Sequence, residues 1–458
     1  MTRLPPEKRR GWAAFLLGRA WFEKARDDIA RGHLEQAIKL WPELALAHRY
    51  LSYVCLRAEQ FEEGLACSSR ACELDSKDRG LHWEHSQFQA LAGNTQEPPL
   101  ASHPGGRLRF RQRYDRSHHR SGWQYAVDSL QALHNESGVL FESFLEDPFA
   151  WQQAHSERRQ GAQLLEYLLN PSRHAALNAR ECGVIPFREP WVGFMHNPPN
   201  MPAWLHSNEA PQKILASSAW RESMHYCLGL FTLSQYHANW LHEATGKPVT
   251  ALLHPSQAPS LGFCFDAFTN NPQKKIVQVG WWLRRQSAIY RLPILADNDC
   301  GYGKLRLVPH FAEGSGERLA RLLDEELALE GTSIIPDCNN TQELHHLDNE
   351  AYDELLSRNI VFVQLYDASA NNTVIECMLR ATPLLVNPLP AVIEYLGADY
   401  PLYYNDLEDA AALAMDLGRV RAAHSYLLEC PQRKLLSGDH FRQSLLDSEV
   451  YSLLEHAA

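Results

Sequence analysis

One stretch of the chain, residues 359–388, restricts the fold more than any other. It reads as a buried strand, a short polar loop, a helix and a second buried strand. Ile360 to Leu365 is an apolar run broken only by Gln364, which is typical of a parallel strand covered on both faces. The loop from Asp367 to Asn372 follows the carboxyl end of that strand, where open α/β sheets bind their ligands. The pattern therefore predicts a parallel α/β sheet with a ligand site at this edge.

The helix that follows the loop is expected to run from Thr373 to Arg380. The free N–H groups of its first turn suit a phosphate group. Glu376 is expected on this first turn, with its carboxylate within reach of a ribose hydroxyl of the same ligand. An ordinary βαβ unit without a ligand is the alternative interpretation.

The segment Asn371–Met378, together with Ala381–Val386, resembles the nucleotide-sugar half-site of two-domain glycosyltransferases of the GT-B fold. It is similar both to the glutamate-rich motif of the large retaining family and to the loop of the protein O-GlcNAc transferases that carry tetratricopeptide repeats. In the retaining family a second acidic residue stands eight positions before the helix glutamate; that position is Ala368 here, and Asp367 is its neighbour. This departure leaves the stereochemical outcome open. The resemblance implies a donor site that includes Asn371, Asn372, Thr373 and Glu376, with Asp367 near the reacting centre.

Length and composition limit the classes of function. A chain of 458 residues is expected to hold two or three domains, and 45% hydrophobic with 22% charged residues is ordinary for a soluble globular protein. A formal net charge of -11 argues against general binding to nucleic acid or to anionic membranes. No window approaches the ~18 apolar residues of a membrane span. The ten cysteines form no Cys-x-x-Cys pair and the N-terminus lacks a signal-peptide pattern, so a cytoplasmic location is expected.

Residues 11 to 95 read as helices, with turns near Gly32, Pro42 and residues 75–78. Ala37–Pro42 and Ala71–Ser76 resemble each other at an offset of 34 residues, which is the period of tetratricopeptide (TPR) repeats. The sequence thus predicts a TPR-like helical module at 1–95 and a linker rich in proline and glycine at 96–107. A plain helical bundle is the alternative.

Residues 108–258 are predicted to form a first Rossmann-like domain, which binds the acceptor. A loop containing Arg120 and Gly122 follows its first strand, and glycine there lets the backbone approach a ligand closely. A solvated charged loop is equally compatible with these residues. His196 ends the strand that begins at Trp191 and suits an acid, a base or an oxyanion partner. The alternative is a structural histidine that caps the following proline-rich turn.

Residues 272–436 are predicted to form a second Rossmann-like domain, which binds the donor, and 437–458 a C-terminal helix that returns to the acceptor domain. Gly280 with Arg284 or Arg285 resembles the element that grips the diphosphate in these transferases, and arginine suits forked contacts with phosphate. Lys304, before a strand at Leu305–Val308, is the candidate second cation. Surface arginines without a ligand are the alternative.

Three further expectations concern this domain. By the same resemblance, the main chain near Leu347 meets the nucleobase. A strand is expected from Thr332 to Pro336. Asp297 and Asp299 have a spacing that can hold a divalent cation, but they are interpreted as a turn, so no metal and no other cofactor is expected.

The predicted fold class is α/β, with two Rossmann-like domains of the GT-B type preceded by an all-α TPR-like module. The resemblance implies a glycosyltransferase of the hexosyl- or N-acetylhexosaminyl-transferase class that uses a nucleotide-diphosphate sugar. A TPR-like module favours a protein or peptide as acceptor. The alternatives are a transferase for a cell-surface or lipid-linked glycan, and a non-catalytic TPR scaffold with a degenerate transferase domain.

Overall fold

The computed structural model describes most of the chain. It covers residues 5–456 except 24–25, 59, 77, 79–80, 83, 86–88, 90–100, 111–121, 153–185, 206–208, 295–300, 309–314, 333–339 and 346. The chain divides into two compact units, one formed by residues 1–99 with 152–184 and the other by 100–151 with 185–458.

The first unit contains four described helices of similar length. They are α1 (Pro6–Glu23), α2 (Asp27–Leu40), α3 (Ala45–Arg57) and α4 (Phe61–Leu74). A Cβ atom at Gly18 of α1 would lie 2.8 Å from Cγ of Leu34 on α2, so the small residue permits the close approach of these two helices. Gly32 lies inside α2 and does not form the expected turn. The helices are compatible with TPR repeats, which stay a prediction.

The second unit contains two five-stranded sheets, and every strand pair in both sheets is parallel. This confirms the predicted α/β class and fits a two-domain GT-B fold. The first sheet consists of β1 (Leu108–Phe110), β2 (Val139–Glu142), β3 (Trp191–Phe194), β4 (Cys227–Thr232) and β5 (Val249–Ala251). Its described strands lie side by side in the order of the sequence.

The second sheet has a different order. Its strands are β6 (Lys275–Val279), β7 (Gly303–Val308), β8 (Thr341–His345), β9 (Ile360–Val363) and β10 (Leu384–Val386), arranged as β10-β9-β6-β7-β8. The first strand, β6, is therefore central, and the chain builds outward from it first on one side and then on the other. This is a doubly wound arrangement with a topological switch point between β6 and β9.

The helices of the second unit follow the strands in turn. In chain order they are α5 (Trp123–Leu130), α6 (Pro211–Ala216), α7 (Ser218–Ser223), α8 (Gln235–Thr245), α9 (Phe265–Thr269), α10 (Ala288–Arg291), α11 (Ser315–Leu329), α12 (Asn349–Ser357), α13 (Asn372–Arg380), α14 (Pro390–Leu396), α15 (Leu407–Met415), α16 (Leu417–Glu429), α17 (Gly438–Leu446) and α18 (Glu449–Leu453).

The last two helices belong to the core of the first sheet. Phe441 and Leu445 of α17 and Val450 of α18 are buried in one apolar cluster with Leu108, Val192 and Phe231. The chain thus returns to the first sheet after it has completed the second. The C-terminal segment forms two helices where the sequence suggested one.

Two expectations for the second domain concern residues that the structure does not describe, or describes only in small part. The strand beside β7 is β8, which begins at Thr341. The sequence suggested a strand at Thr332–Pro336. Most of that suggested strand, like Asp297 and Asp299, falls in segments that are not described.

Within the described residues, no helix combines the length and the apolar content needed to cross a membrane.

Candidate functional site

The switch point of the second sheet brings two loops together. One follows β6 and begins at Gly280, and the other follows β9 and begins at Gln364. Backbone hydrogen bonds join them, because Arg285 N–H donates to the Gln364 carbonyl at 2.8 Å and Tyr366 N–H donates to the Leu283 carbonyl at 2.9 Å. In open α/β sheets this crevice, outside the carboxyl ends of the strands, is where ligands bind.

Gly280 allows Arg284 to fold back over the end of β6. The backbone of Gly280 has a φ of +78°, and a Cβ atom there would lie 2.7 Å from Cζ of Arg284. Any other residue would therefore be strained and would push the guanidinium away. The predicted pairing of this glycine with an arginine thus has a direct steric basis.

The guanidinium of Arg284 lies against the N-terminus of α13. Its Nη2 donates to Thr373 Oγ1 at 2.8 Å and to Asn371 Oδ1 at 3.2 Å, and its Nη1 donates to the Trp282 carbonyl at 2.8 Å. Asn371 is the N-cap of α13, and its Oδ1 also accepts from the N–H groups of Thr373 and Val374. Asn372 is the first residue of the helix and is exposed. The structure therefore brings Arg284, Asn371 and Thr373 into hydrogen-bond contact, with Asn372 next to them in the chain. Their role as a diphosphate site stays a prediction.

Arg284 is a buried cation that forms no ion pair with a carboxylate among the described residues, although the charge of Glu376 partly opposes the effect of burial on its pKa. It is 7% exposed, and burial lowers the pKa of its guanidinium to about 10. In the part of the chain that the structure describes, two further arginines are buried, Arg306 and Arg380, and they form ion pairs with Glu343 and Asp353 respectively. A buried charge without a counter-ion is destabilising, so this position favours the binding of an anion.

Arg285 has a different environment from that of its neighbour. Its side chain is 41% exposed, its Nη1 lies 3.4 Å from Glu330 Oε1, and its guanidinium stacks over the ring of Tyr366 at 4.9 Å. The sequence left the diphosphate contact open between Arg284 and Arg285. The geometry favours Arg284.

Glu376 lies in the second turn of α13 rather than the first, and its carboxylate does not face open solvent. It is 1% exposed, and its Oε2 accepts a hydrogen bond of 2.5 Å from the Tyr352 hydroxyl on α12. Arg380, one turn further, is also buried, and its Nε donates to Asp353 at 2.9 Å. The carboxylate is therefore not open to a ligand as the side chains stand, because the face of α13 that carries Glu376 packs on α12. Its contact with a ribose stays a prediction.

Lys304 does not join the other predicted cations. It is the second residue of β7, not a residue before the strand, and it pairs in register with Ile276 near the amino end of β6. It is 2% exposed, and its Nζ donates to the carbonyls of Tyr290 at 3.0 Å and Leu292 at 3.2 Å. The position is thus away from the carboxyl edge of the sheet, which is the wrong place for a contact with the diphosphate.

Three further predicted residues are placed as follows. Leu347 follows β8 at the carboxyl edge and packs, partly buried, against the core of the second sheet. Gly122 is the N-cap of α5 with a φ of −75°, a conformation that any residue adopts. A close approach of its backbone to a ligand stays a prediction. Arg120 lies outside the described residues.

Asp367 connects the loop after β9 to the domain of the first sheet. Its Oδ2 accepts from the Asn200 N–H at 2.8 Å and from the Tyr236 hydroxyl at 3.1 Å. Burial raises the pKa of the Asp367 carboxyl, although these hydrogen bonds oppose the shift. Two residues on, Ser369 Oγ accepts from the Leu233 N–H at 3.2 Å and lies 2.8 Å from His237 Nδ1. The loop after β9 therefore contacts the carboxyl edge of the first sheet directly.

His196 lies at that same edge, two residues after the end of β3. Its ring stacks on Phe144 with centroids 4.2 Å apart and meets the ring of Trp123 edge-on at 4.4 Å. Glu146 lies beside it, with Oε2 3.5 Å from His196 Nδ1. The sequence identified the histidine from its place at a strand end. Glu146 was missed because nothing local distinguishes it from other acidic residues near a turn.

Across the described part of the chain, no three His, Cys, Asp or Glu side chains are grouped so that they can hold a metal ion.

Comparison with known proteins gives structural similarity at low sequence identity. A mutant of the Thermobaculum terrenum O-GlcNAc transferase is 15% identical, with 99% of this chain and 92% of that chain covered and a TM-score of 0.40. A UDP-forming α,α-trehalose-phosphate synthase from Burkholderia vietnamiensis is 14% identical, with coverages of 77% and 100% and a TM-score of 0.48. Anabaena HepE in complex with UDP and glucose is 11% identical, with coverages of 71% and 88% and a TM-score of 0.43. No protein-family model and no curated protein matches the sequence. At these identities and TM-scores, the function has to be argued from the geometry of the chain itself.

The first prediction concerns Arg284. Arg284→Met should weaken the binding of a nucleoside diphosphate about 10–100-fold, because it removes charge-assisted hydrogen bonds to phosphate. The unfolding midpoint should stay the same or rise, since a buried charge without a counter-ion is removed. Affinity is measured by isothermal titration calorimetry and stability by thermal unfolding.

The matched comparison is Arg358→Met, which removes an exposed arginine paired with Glu354 on α12 and should leave the affinity unchanged. Arg285→Met decides between the two neighbouring arginines. A large loss of affinity in Arg285→Met with none in Arg284→Met would reverse the assignment.

The second prediction concerns Glu376. If a ribose replaces Tyr352 as its hydrogen-bond donor, Glu376→Gln should lower donor affinity about tenfold, because the neutral amide accepts a weaker hydrogen bond than the carboxylate. Tyr352→Phe should then maintain or raise donor affinity, since it removes the competing hydroxyl. Both variants are titrated with donor.

The control is Glu408→Gln, the same substitution at an exposed position of α15. Unchanged donor affinity in Glu376→Gln, together with a lower unfolding midpoint, would show that Glu376 serves the fold alone.

Proposed function

We propose that this protein is a glycosyltransferase that moves a sugar from a nucleotide-diphosphate donor to an acceptor. The observation that carries the proposal is the buried guanidinium of Arg284, which has no described carboxylate partner and lies on the N-terminus of α13 at the switch point of the second sheet. A cation and a helix N-terminus at one point form a site that suits an anion such as a phosphate group.

The rest of the donor would extend along the same edge of the sheet. Glu376 would accept from the ribose after Tyr352 has moved away, and the main chain near Leu347 would contact the base. As the bond from sugar to diphosphate breaks, negative charge grows on the leaving group. Arg284 and the α13 N-terminus would stabilise that charge, which is the form of electrostatic help that accelerates such reactions. Lys304 has no part in this step.

No metal ion is needed in this proposal, since the positive charge comes from the protein. The donor class is a hexosyl or N-acetylhexosaminyl nucleotide. The acceptor is proposed to be a protein or peptide, because helical repeat modules present extended surfaces that bind such partners. A cytoplasmic location is part of the proposal: the described cysteines are free thiols, which suits a reducing compartment.

A second candidate is a non-catalytic scaffold with a helical binding module. Two observations favour the scaffold. Glu376 already accepts a hydrogen bond from Tyr352, and Asp367 already accepts hydrogen bonds from Asn200 and Tyr236. When the polar groups of a site already form hydrogen bonds with one another, fewer of them are available to bind a substrate. The two candidates differ in whether a donor binds and turns over.

The third prediction is that a nucleoside diphosphate or its sugar conjugate binds without metal. A thermal-shift panel of UDP- and GDP-sugars, each with and without EDTA, tests this. A donor present at a free concentration of about 100 times its Kd should raise the free energy of unfolding by roughly 2.7 kcal/mol. EDTA should leave the shift nearly unchanged. Binding that collapses in EDTA and returns with manganese would contradict the metal-free site, and no shift with any nucleotide would favour the scaffold.

The fourth prediction concerns the acceptor. Deleting residues 1–95 should leave donor affinity and donor hydrolysis intact but weaken transfer to a protein or peptide acceptor. The physical reason is that repeat helices contact mainly their neighbours, so their loss need not disturb the sheets. Circular dichroism checks that the shortened chain is folded. Equal loss of hydrolysis and transfer in a folded protein would refute a separate role for the module.

A further inference from the structure

Two cysteines of the first unit lie side by side on neighbouring helices. Cys55 is in the last turn of α3, and Cys67 is in the middle of α4. The Cys55 thiol is hydrogen-bonded to the Cys67 sulfur, and both residues belong to the apolar cluster in which α1, α2, α3 and α4 pack together. Two thiols in contact can approach to the bonding distance of a disulfide when their helices can come close enough.

The start of α4 is built to lie close to the end of α3. The Gln60 N–H, in the connection between the helices, donates to the Cys55 carbonyl at 2.9 Å. Gly64 is buried and stands three residues before Cys67, so the two share one face of α4. A disulfide spans about 4.4–6.8 Å between its Cα atoms, which is less than the usual ~8–10 Å between packed helix axes. A glycine on this face removes the side chain that would keep the helices apart.

Arg31 of α2 holds this connection in place. Its Nη1 donates to Gln60 Oε1 at 2.5 Å, its Nε donates to Glu35 Oε1 at 2.8 Å, and its Nη2 donates to Glu63. Glu63 is one turn before Cys67 on α4, so this group of charges lies beside the thiols. The positive charge of Arg31 favours the thiolate form of Cys67, whereas the negative charge of Glu63 opposes it.

The two thiols are not equivalent. The hydrogen bond from Cys55 lowers the pKa of the Cys67 thiol, and the same hydrogen bond together with burial raises the pKa of the Cys55 thiol. Cys67 is also partly exposed, whereas Cys55 is buried. Since the thiolate is the nucleophile, Cys67 is the residue that reacts first with an oxidant from solution. An accessible thiolate next to a second thiol is the arrangement found in redox-sensitive cysteine pairs.

Other cysteines of the chain provide the comparison. Cys227 and Cys377 are buried, and burial raises the pKa of both thiols, so they are expected to react slowly. Cys264 is exposed, but its sulfur accepts from the Ala267 N–H rather than from a thiol. Exposure and a thiol neighbour are thus combined at Cys67.

We propose that Cys55 and Cys67 are a site of reversible oxidation, at which hydrogen peroxide forms a disulfide that fastens α3 to α4. The Cys67 thiolate attacks one oxygen of the peroxide, the O–O bond breaks, and a sulfenic acid and hydroxide result. Cys55 then attacks the Cys67 sulfur, the S–O bond breaks, and the hydroxyl group leaves as water with the proton of the Cys55 thiol. The hydroxide takes up the proton that Cys67 first lost. Two thiols thus give up two electrons, and one peroxide becomes two molecules of water.

Such a bond is compatible with a reducing compartment. Disulfides there are mostly transient, because glutathione or a dithiol protein reduces them. The bond restrains the hairpin of α3 and α4, which lies in the unit proposed above to bind the acceptor. Nothing in this step requires the proposed glycosyl transfer, since every outcome is measured at the sulfur atoms.

The test uses the full chain, first reduced and then treated with a few equivalents of hydrogen peroxide. Free thiols are blocked with N-ethylmaleimide before digestion. Trypsin cleaves after arginine and places Cys55 in the peptide 50–57 and Cys67 in the peptide 58–70, each with no other cysteine. Mass spectrometry should find these two peptides linked. Incubation of the folded, oxidised protein with reduced glutathione should return both cysteines to the thiol form.

Two variants test the separate roles of the thiols. Cys55→Ala leaves the sulfenic acid of Cys67 without its thiol partner, so dimedone, which reacts with sulfenic acids, should label Cys67. Cys67→Ala should slow the oxidation of Cys55 at least about tenfold, because a buried and protonated thiol reacts slowly. The matched control is Cys264→Ala, which removes an exposed cysteine and should form the linked peptides at the rate of the wild type. Circular dichroism checks that each variant is folded.

Three outcomes would contradict the proposal, and the first two need no variant. Absence of the linked peptides at a peroxide concentration that oxidises Cys264 overturns the site itself. Linked peptides that glutathione does not separate in the folded protein show a permanent cross-link and overturn the reversible role. Labelling of Cys55 in Cys67→Ala as fast as that of Cys67 in Cys55→Ala overturns the order of attack.

Discussion

The buried guanidinium of Arg284 is the constraint on which the switch point of the second sheet depends. It fits over the end of β6 only because Gly280 has no Cβ atom and a positive φ. Its hydrogen bonds end on Asn371 and Thr373, so the residue that caps α13 also holds the cation. The positive guanidinium of Arg284 and the positive end of the α13 dipole repel each other until an anion binds to both. The neighbouring ion pairs of Arg306 and Arg380 show how buried arginines are otherwise neutralised in this chain.

A second set of contacts joins the two carboxyl edges. Glu394 of α14 accepts from the N–H groups of Gln235 and Tyr236 at the start of α8, both at 2.6 Å. Tyr395 next to it donates to the Leu233 carbonyl at 2.8 Å. With Asp367 and Ser369, these residues connect the second sheet to the carboxyl edge of the first sheet, where His196 lies.

The sequence predicted correctly those structural features that depend on interactions between residues near each other in the chain. The apolar run at 360–363 forms a strand with every residue buried, because both faces of the second sheet are covered there. Glu376 and Lys304 were misplaced for a different reason. The helix face on which Glu376 lies is decided by Tyr352 on another helix, and the ammonium of Lys304 is held by carbonyls of the segment after β6. Neither partner is visible from the surrounding sequence.

The sequence by itself determined the parallel sheets, the polar loops at their carboxyl ends and the pairing of Gly280 with an arginine, because periodicity and steric freedom act over a few residues. Only the tertiary structure decided which polar groups acquire partners. Glu146 and His196 are 50 residues apart, and Arg284 and Thr373 are 89 apart, yet each pair is in contact. The reason is physical: the free energy of a buried charge depends on every group that replaces its water, and those groups come from distant parts of the chain.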